Sequence, residues 1–200
     1  MKYRLCILLF SFLLKYSLLN AQAPDNLNLE DLTLKAKQKA FELGENISLI
    51  GNKDTDKSIK RTLINRTVDM FIDGDRQIEV TSVRDTSLRK KEKIRKYLNR
   101  ISDLSDYKSV DIKWDQVHII DKIHKKNDGE YWGTIRIIQR FEGKGSKGED
   151  IYKDITEKEL EIKLEKLNIE QGSKLESFYV LKFSDIKVIE TKEIKKTGKS

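Results

Sequence analysis

Between Tyr131 and Leu164 the chain alternates apolar and polar residues with a period of two, and this confines that stretch to long, paired β-strands. Alternation places Tyr131, Ile135, Ile137, Gln139 and Phe141 on one face of a first strand. It places Tyr152, Asp154, Thr156, Leu160, Ile162 and Leu164 on one face of a second. Polar side chains among the isoleucines of a core face predict a pocket or a fixed hydrogen-bond network. Pairing Glu142 with Glu149 across the glycine-rich break sets Gln139 opposite Tyr152 and Ile137 opposite Asp154 on the concave side.

The N-terminus carries a second pattern. Lys2 and Arg4 precede an apolar run from Leu5 to Leu14, and Asn20-Ala21-Gln22-Ala23 follows, which is the layout of a signal peptide over residues 1–23. Cleavage is expected after Ala21 or Ala23. Lys15 interrupts the run, leaving it short of the roughly 20 apolar residues that span a bilayer. The single cysteine, Cys6, leaves with such a leader, so the mature chain is expected to have no disulfide and no thiol chemistry. Loss of Lys2, Arg4 and Lys15, with no acid, lowers the net charge from +7 to +4.

One proline and no low-complexity linker predict a single domain over residues 24–190 and a flexible basic tail over 191–200. Apolar spacing predicts a helix from Asn28 to Leu43 stopped by Gly44, and a second from Asp56 to Phe71. A short strand over Arg76–Val83 and a third helix over Leu88–Leu104 follow. Val110, Ile112 and Trp114 begin a strand that kinks before Val117, Asn127-Asp128-Gly129 reads as a hairpin turn, and Phe178–Ile189 supplies the last strand. The expected fold class is α+β, with three N-terminal helices on a strongly curved, mainly antiparallel sheet of five to six strands.

This order, together with Val68-Asp69-Met70-Phe71, Tyr97-Leu98, Gln139-x-Phe141 and Tyr152-x-Asp154-x-Thr156, resembles the nuclear transport factor 2-like superfamily with its cystatin-like cone, over roughly residues 30–190. More narrowly, it is similar to exported bacterial members without an assigned activity. The resemblance implies a pocket between the sheet and the helices. Its candidate residues are Tyr97, Trp114, Gln139, Phe141, Tyr152, Asp154 and Thr156. A buried Asp154 beside Tyr152 has the chemistry of a general base, yet Tyr, Gln, Asp and Thr on neighbouring strands also satisfy one another and pin register. No catalytic residue is assigned.

Three functional readings follow. The first is a non-catalytic binding or assembly module in the periplasm or cell envelope of a Gram-negative bacterium. It would meet a protein partner or a second copy through its sheet surface and hold at most a small apolar ligand. The second is an isomerase or dehydratase using Asp154 and Tyr152, and the third, from resemblance, is a periplasmic assembly subunit of a conjugative secretion system. Arg89, Lys90, Lys91, Lys93, Arg95 and Lys96 form a candidate basic patch for an anionic envelope surface, or a solvated helix face. Nucleic acid is not expected for an exported chain.

No cofactor or metal is expected. His118 and His124 stand roughly 20 Å apart on one strand, and strand parity turns Asp115 and Asp121 away from them. Gly143-Lys144-Gly145-Ser146-Lys147-Gly148 matches G-x-G-x-x-G, but a strand rather than a helix is expected after it, so it reads as a hairpin tip and not a dinucleotide site.

Overall fold

The computed structural model describes residues 27–83, 85–171 and 174–194. The expected leader and residues 195–200 lie outside them. Among the described residues no helix is long and apolar enough to cross a membrane.

Helix α1 (Leu29–Gly51) buries Ala36, Ala40, Leu43, Ile47 and Ile50 at helical spacing. It runs through Gly44 and does not stop there, because this glycine serves packing. A Cβ on Gly44 would stand 2.8 Å from Cγ of Trp114, and one on Gly51 would stand 2.8 Å from Cδ1 of Ile112. Two glycines thus let α1 lie close against the strand that carries Ile112 and Trp114.

Helix α2 (Lys57–Val68) opens with Asp56, whose side chain accepts from the Ser58 amide, and it ends three residues before Phe71. The chain then crosses to the last strand. Ile72 N–H donates to Phe183 O at 2.8 Å, Phe183 N–H donates to Met70 O at 2.9 Å, and the two phenyl rings meet edge to face.

Two strands precede the third helix, where the sequence reading had one. β1 (Gln77–Ser82) pairs antiparallel with β2 (Asp85–Lys93), and only then does α3 (Ile94–Ser102) begin. The third helix therefore starts at Ile94 and not at Leu88. β2 lacks apolar alternation because Glu92, a charged residue 4 % exposed, is one of those it turns inward. The α3 stripe of Ile94, Tyr97, Leu98 and Ile101 is buried as its spacing requires.

The remaining chain is β3 (Ser109–Lys125), β4 (Tyr131–Lys144), β5 (Asp150–Gln171) and β6 (Lys174–Glu193). The sheet order is β2-β1-β6-β5-β4-β3, with β1 parallel to β6. Among the described residues this is an α+β fold with three helices and an open, six-stranded mixed sheet. Of those three helices, two precede the first strand and one follows the second, so they are not all N-terminal. β6 continues through Glu193, which places Thr191, Lys192 and Glu193 in a strand and not in the expected tail.

Contacts divide the chain into two units, one holding Leu29–Glu165 with the chain from Leu181 onward, and one that includes Lys166–Val180. In the latter, Ser177 Oγ donates to Asn168 Oδ1 at 2.7 Å. All features below belong to the former unit.

The kink expected in β3 is a series of three register breaks, between Trp114 and Gln116, Ile119 and Asp121, and Asp121 and His124. At the last of these, Ile123 N–H donates to Thr33 Oγ1 of α1 at 3.1 Å. The Asn127-Asp128-Gly129 turn forms as expected, with Gly129 at φ +85° and its N–H donating to Lys126 O. At the other hairpin a strand follows the glycine-rich tip, and Gly148 takes φ +79°.

The β4–β5 register differs from the expected one by four residues. Gln139 faces Thr156, Phe141 faces Asp154, and Gly143 faces Tyr152. The strands run further into the tip than assumed, and Gly145 N–H donates to Glu149 O at 2.9 Å. A bulge between Gly143 and Lys144 then shifts the register by one. Without that bulge, Gln139 would fall opposite Ile155 and the two polar sets would part to opposite faces.

Candidate functional site

The inner faces of β4 and β5 end in a cavity of about 240 Å³. Gln139, Phe141, Tyr152, Asp154, Thr156 and Lys158 line it from the two strands, and Val80, Thr81 and Ser82 from β1. Arg100, Leu104 and Tyr107 close it from α3 and the loop that follows. Five of the seven expected pocket residues are therefore brought together. Trp114 and Tyr97 support them from outside the lining: Trp114 Nε1–H donates to Gln139 Oε1 at 3.3 Å, while the Tyr97 ring stands beside two cavity cations.

Tyr152 organises one end. Its hydroxyl donates to Asp154 Oδ2 at 2.6 Å, its oxygen accepts from Val83 N–H at 3.1 Å, and it lies 3.2 Å from Ser82 Oγ. The side chain thereby ties β5 to the end of β1. The Thr156 hydroxyl sits 3.5 Å from Asp154 Oδ1 and 3.1 Å from Thr191 Oγ1 of β6. Phe141 packs edge to face with both Tyr107 and Tyr152, and the Tyr107 ring rests on Gly143, where a Cβ would meet it at 2.3 Å. Gly143 thus makes room for an aromatic wall.

Burial decides the charges here. It pushes the Asp154 carboxyl above the usual carboxylate range, although the Tyr152 hydroxyl and the Lys158 cation pull the other way. It also pushes the Tyr152 phenol up to about 12, helped by its hydrogen bond to Asp154. Lys158, whose side chain continues the inward row Tyr152, Asp154, Thr156, is 2 % exposed. Desolvation lowers its amine to about 8 against the pull of Asp154, and Arg100 lowers it further.

Lys158 has no hydrogen-bond or ion-pair acceptor among the described residues. Its Nζ lies 5.7 Å from the Tyr97 ring centre, and the Arg100 guanidinium carbon lies 5.4 Å from the same point. The two cations are therefore within about 11 Å of each other. Arg100 is partly exposed and uses Nε to bind Glu92 Oε2 at 3.1 Å. Thr81 Oγ1, also in the lining, is buried without a partner.

Lys158, Arg100 and Tyr107 were not among the expected site residues. A lysine inside an apolar alternation reads as a break, and the only signal available was its parity with Asp154 and Leu160.

The six residues of the basic patch are exposed and are divided between β2 and α3. Arg89 donates to Val188 O and Ile189 O. Lys90 pairs with Glu92, Lys91 with Glu79, and Lys93 with Asp75. Arg95 donates to Asn65 Oδ1 at 2.8 Å, and Lys96 is exposed. His118 and His124 are both exposed, but His124 Nδ1 lies 3.4 Å from Asp121 Oδ1, contrary to the parity expectation. The register break between those two residues removes the alternation that would separate them. Among the described residues no three His, Cys, Asp or Glu side chains are grouped to hold a metal ion.

Comparison of the chain with models of protein families, with curated proteins and with solved structures gives no match.

Proposed function

We propose that this chain is a binding module for a small anionic ligand, taken up in the cavity between β4, β5, β1 and α3. The observation that supports this reading is Lys158. Its amine lines the cavity with no acceptor among the described residues, and a carboxylate entering the cavity would accept from it, with Arg100 as a second cation and Thr81 as a further donor. The cavity's polar and charged lining favours such a ligand over the apolar one expected from sequence. Its volume of about 240 Å³ lies below the roughly 300–1,000 Å³ of sites for drug-sized molecules, which limits the occupant to a few heavy atoms.

The wider setting of this proposal is the one drawn from sequence. It is an exported chain with a nuclear transport factor 2-like domain, supported by the leader pattern and by the order of elements after α1. The Asp154–Tyr152 pair favours one second reading, an acid–base enzyme of the isomerase or dehydratase type. Its carboxyl is raised toward the range in which a general base works, but the hydroxyl that holds it also ties it to β1. Isothermal titration of the full chain with lactate tests the binding proposal. Saturable binding that weakens at least tenfold in Lys158→Met and in Arg100→Gln supports it, and equal affinity in all three proteins overturns it.

A further inference from the structure

Lys158 presents a chemical possibility that a purely electrostatic site does not use. The residue is 2 % exposed, and its amine lies in a cavity open to a small molecule, beside the aromatic face of Tyr97 and with no acceptor among the described residues. Such surroundings raise the share of neutral amine, and a neutral lysine amine is a nucleophile toward carbonyl carbon. Arg100 adds a second cation at the same ring and keeps guanidinium N–H groups beyond the Nε that binds Glu92. Asp154, on the same strand face four residues before Lys158, lines the same cavity as a carboxyl group.

We propose that Lys158 captures the carbonyl group of a short 2-oxo carboxylate as a reversible imine, while Arg100 holds the carboxylate. This rests on the anion-binding reading and names the ligand class for it. The Nζ lone pair forms the new C–N bond as the carbonyl π pair moves to oxygen, and a proton passes from nitrogen to that oxygen. The hydroxyl of the carbinolamine takes up a proton from solvent, relayed by the Asp154 carboxyl, whose hold on a proton burial strengthens. Water leaves with the C–O bonding pair, and the nitrogen lone pair closes the C=N bond. The products are a protonated imine and one water, with Asp154 returned to its starting state. Hydrolysis runs the same steps backward, and no oxidant or reductant enters.

The amine value of about 8 leaves roughly a tenth of Lys158 neutral at pH 7, far more than of an exposed lysine. Capture is therefore selective for this residue in a chain rich in other lysines. The aromatic neighbours and the small volume suit a compact ligand, and pyruvate is the simplest probe.

The test treats the full chain with pyruvate and sodium borohydride, which reduces an imine to a stable secondary amine, and maps the adduct by peptide mass. One reduced pyruvate adduct at Lys158 is expected, at least tenfold above any exposed lysine. It is suppressed by lactate, which has the carboxylate and no carbonyl, and reduced about tenfold in Arg100→Gln. Mapping on the unsubstituted chain needs no variant to fold. An adduct spread over exposed lysines, or none at Lys158, overturns the imine. If lactate still binds in that case, the anion-binding reading stands without it, and if lactate does not bind either, both fall.

Discussion

At the scale of single residues, the free energy of this site is dominated by one lysine on a core face. Below pH 8 Lys158 is protonated in both the folded and the unfolded chain, so folding strips water from a cation. Its folded-state value of about 8 lies below the ordinary 10.5. Between those two values the unfolded chain binds more protons than the folded one, and stability rises with pH. The separation corresponds to roughly 3 kcal/mol. Lys158→Met keeps the length of the side chain and removes the charge. The variant should therefore be more stable than the parent at pH 7, by as much as about 3 kcal/mol, with the margin shrinking from pH 8 to 10.5. Urea denaturation at several pH values measures this, and a variant less stable at every pH would show the ammonium to be a structural hydrogen-bond donor.

At the scale of elements, glycine positions decide how closely helix and sheet approach. An alanine at an open site inside a helix is favoured over glycine by about 1 kcal/mol. At Gly44 the added methyl would stand 2.8 to 2.9 Å from Trp114 atoms, and Trp114 is fixed by its bond to Gln139. Gly44→Ala should thus destabilise by about 1–3 kcal/mol and loosen the cavity wall behind Gln139. Thermal unfolding checks the sign, since a gain in stability would mean that α1 does not rest on β3 as described.

The same glycine shows what the sequence could convey. As a letter, Gly44 is a helix stop, and only the indole facing it explains why the helix continues to Gly51. The faces of β4 and β5 were legible because side-chain parity is local: Gln139, Tyr152, Asp154 and Thr156 do share one side. Their register was not, because it depends on how far the strands run into the glycine-rich tip and on a bulge at Gly143 and Lys144, and neither carries an apolar signature. β2 and Lys158 escaped for a common reason. Each turns a charged residue inward, Glu92 in one case and the lysine in the other, and hydrophobic pattern sees neither.

At the scale of the whole molecule, much of the charge on the sheet is paired across strands. The solvent-side residues of the sheet pair across strands, as in Arg136 with Glu157 and Glu159, Arg140 with Asp115, Lys153 with Glu142, and Lys187 with Glu161. Exposed pairs of this kind contribute roughly 0–1 kcal/mol each, so their effect is more to neutralise the surface than to hold the fold. The register breaks in β3 interrupt an edge that would otherwise invite another strand. The cavity, by contrast, holds the Lys158 cation with no acceptor among the described residues. The most direct measurement is an NMR titration of the full chain with lactate, following the Lys158 side-chain amine. Saturable shifts at Lys158 and in Tyr152, Asp154 and Arg100, with the exposed lysines unmoved, are the expected result. Lactate-induced shifts confined to exposed lysines, with Lys158 unchanged, would contradict the account.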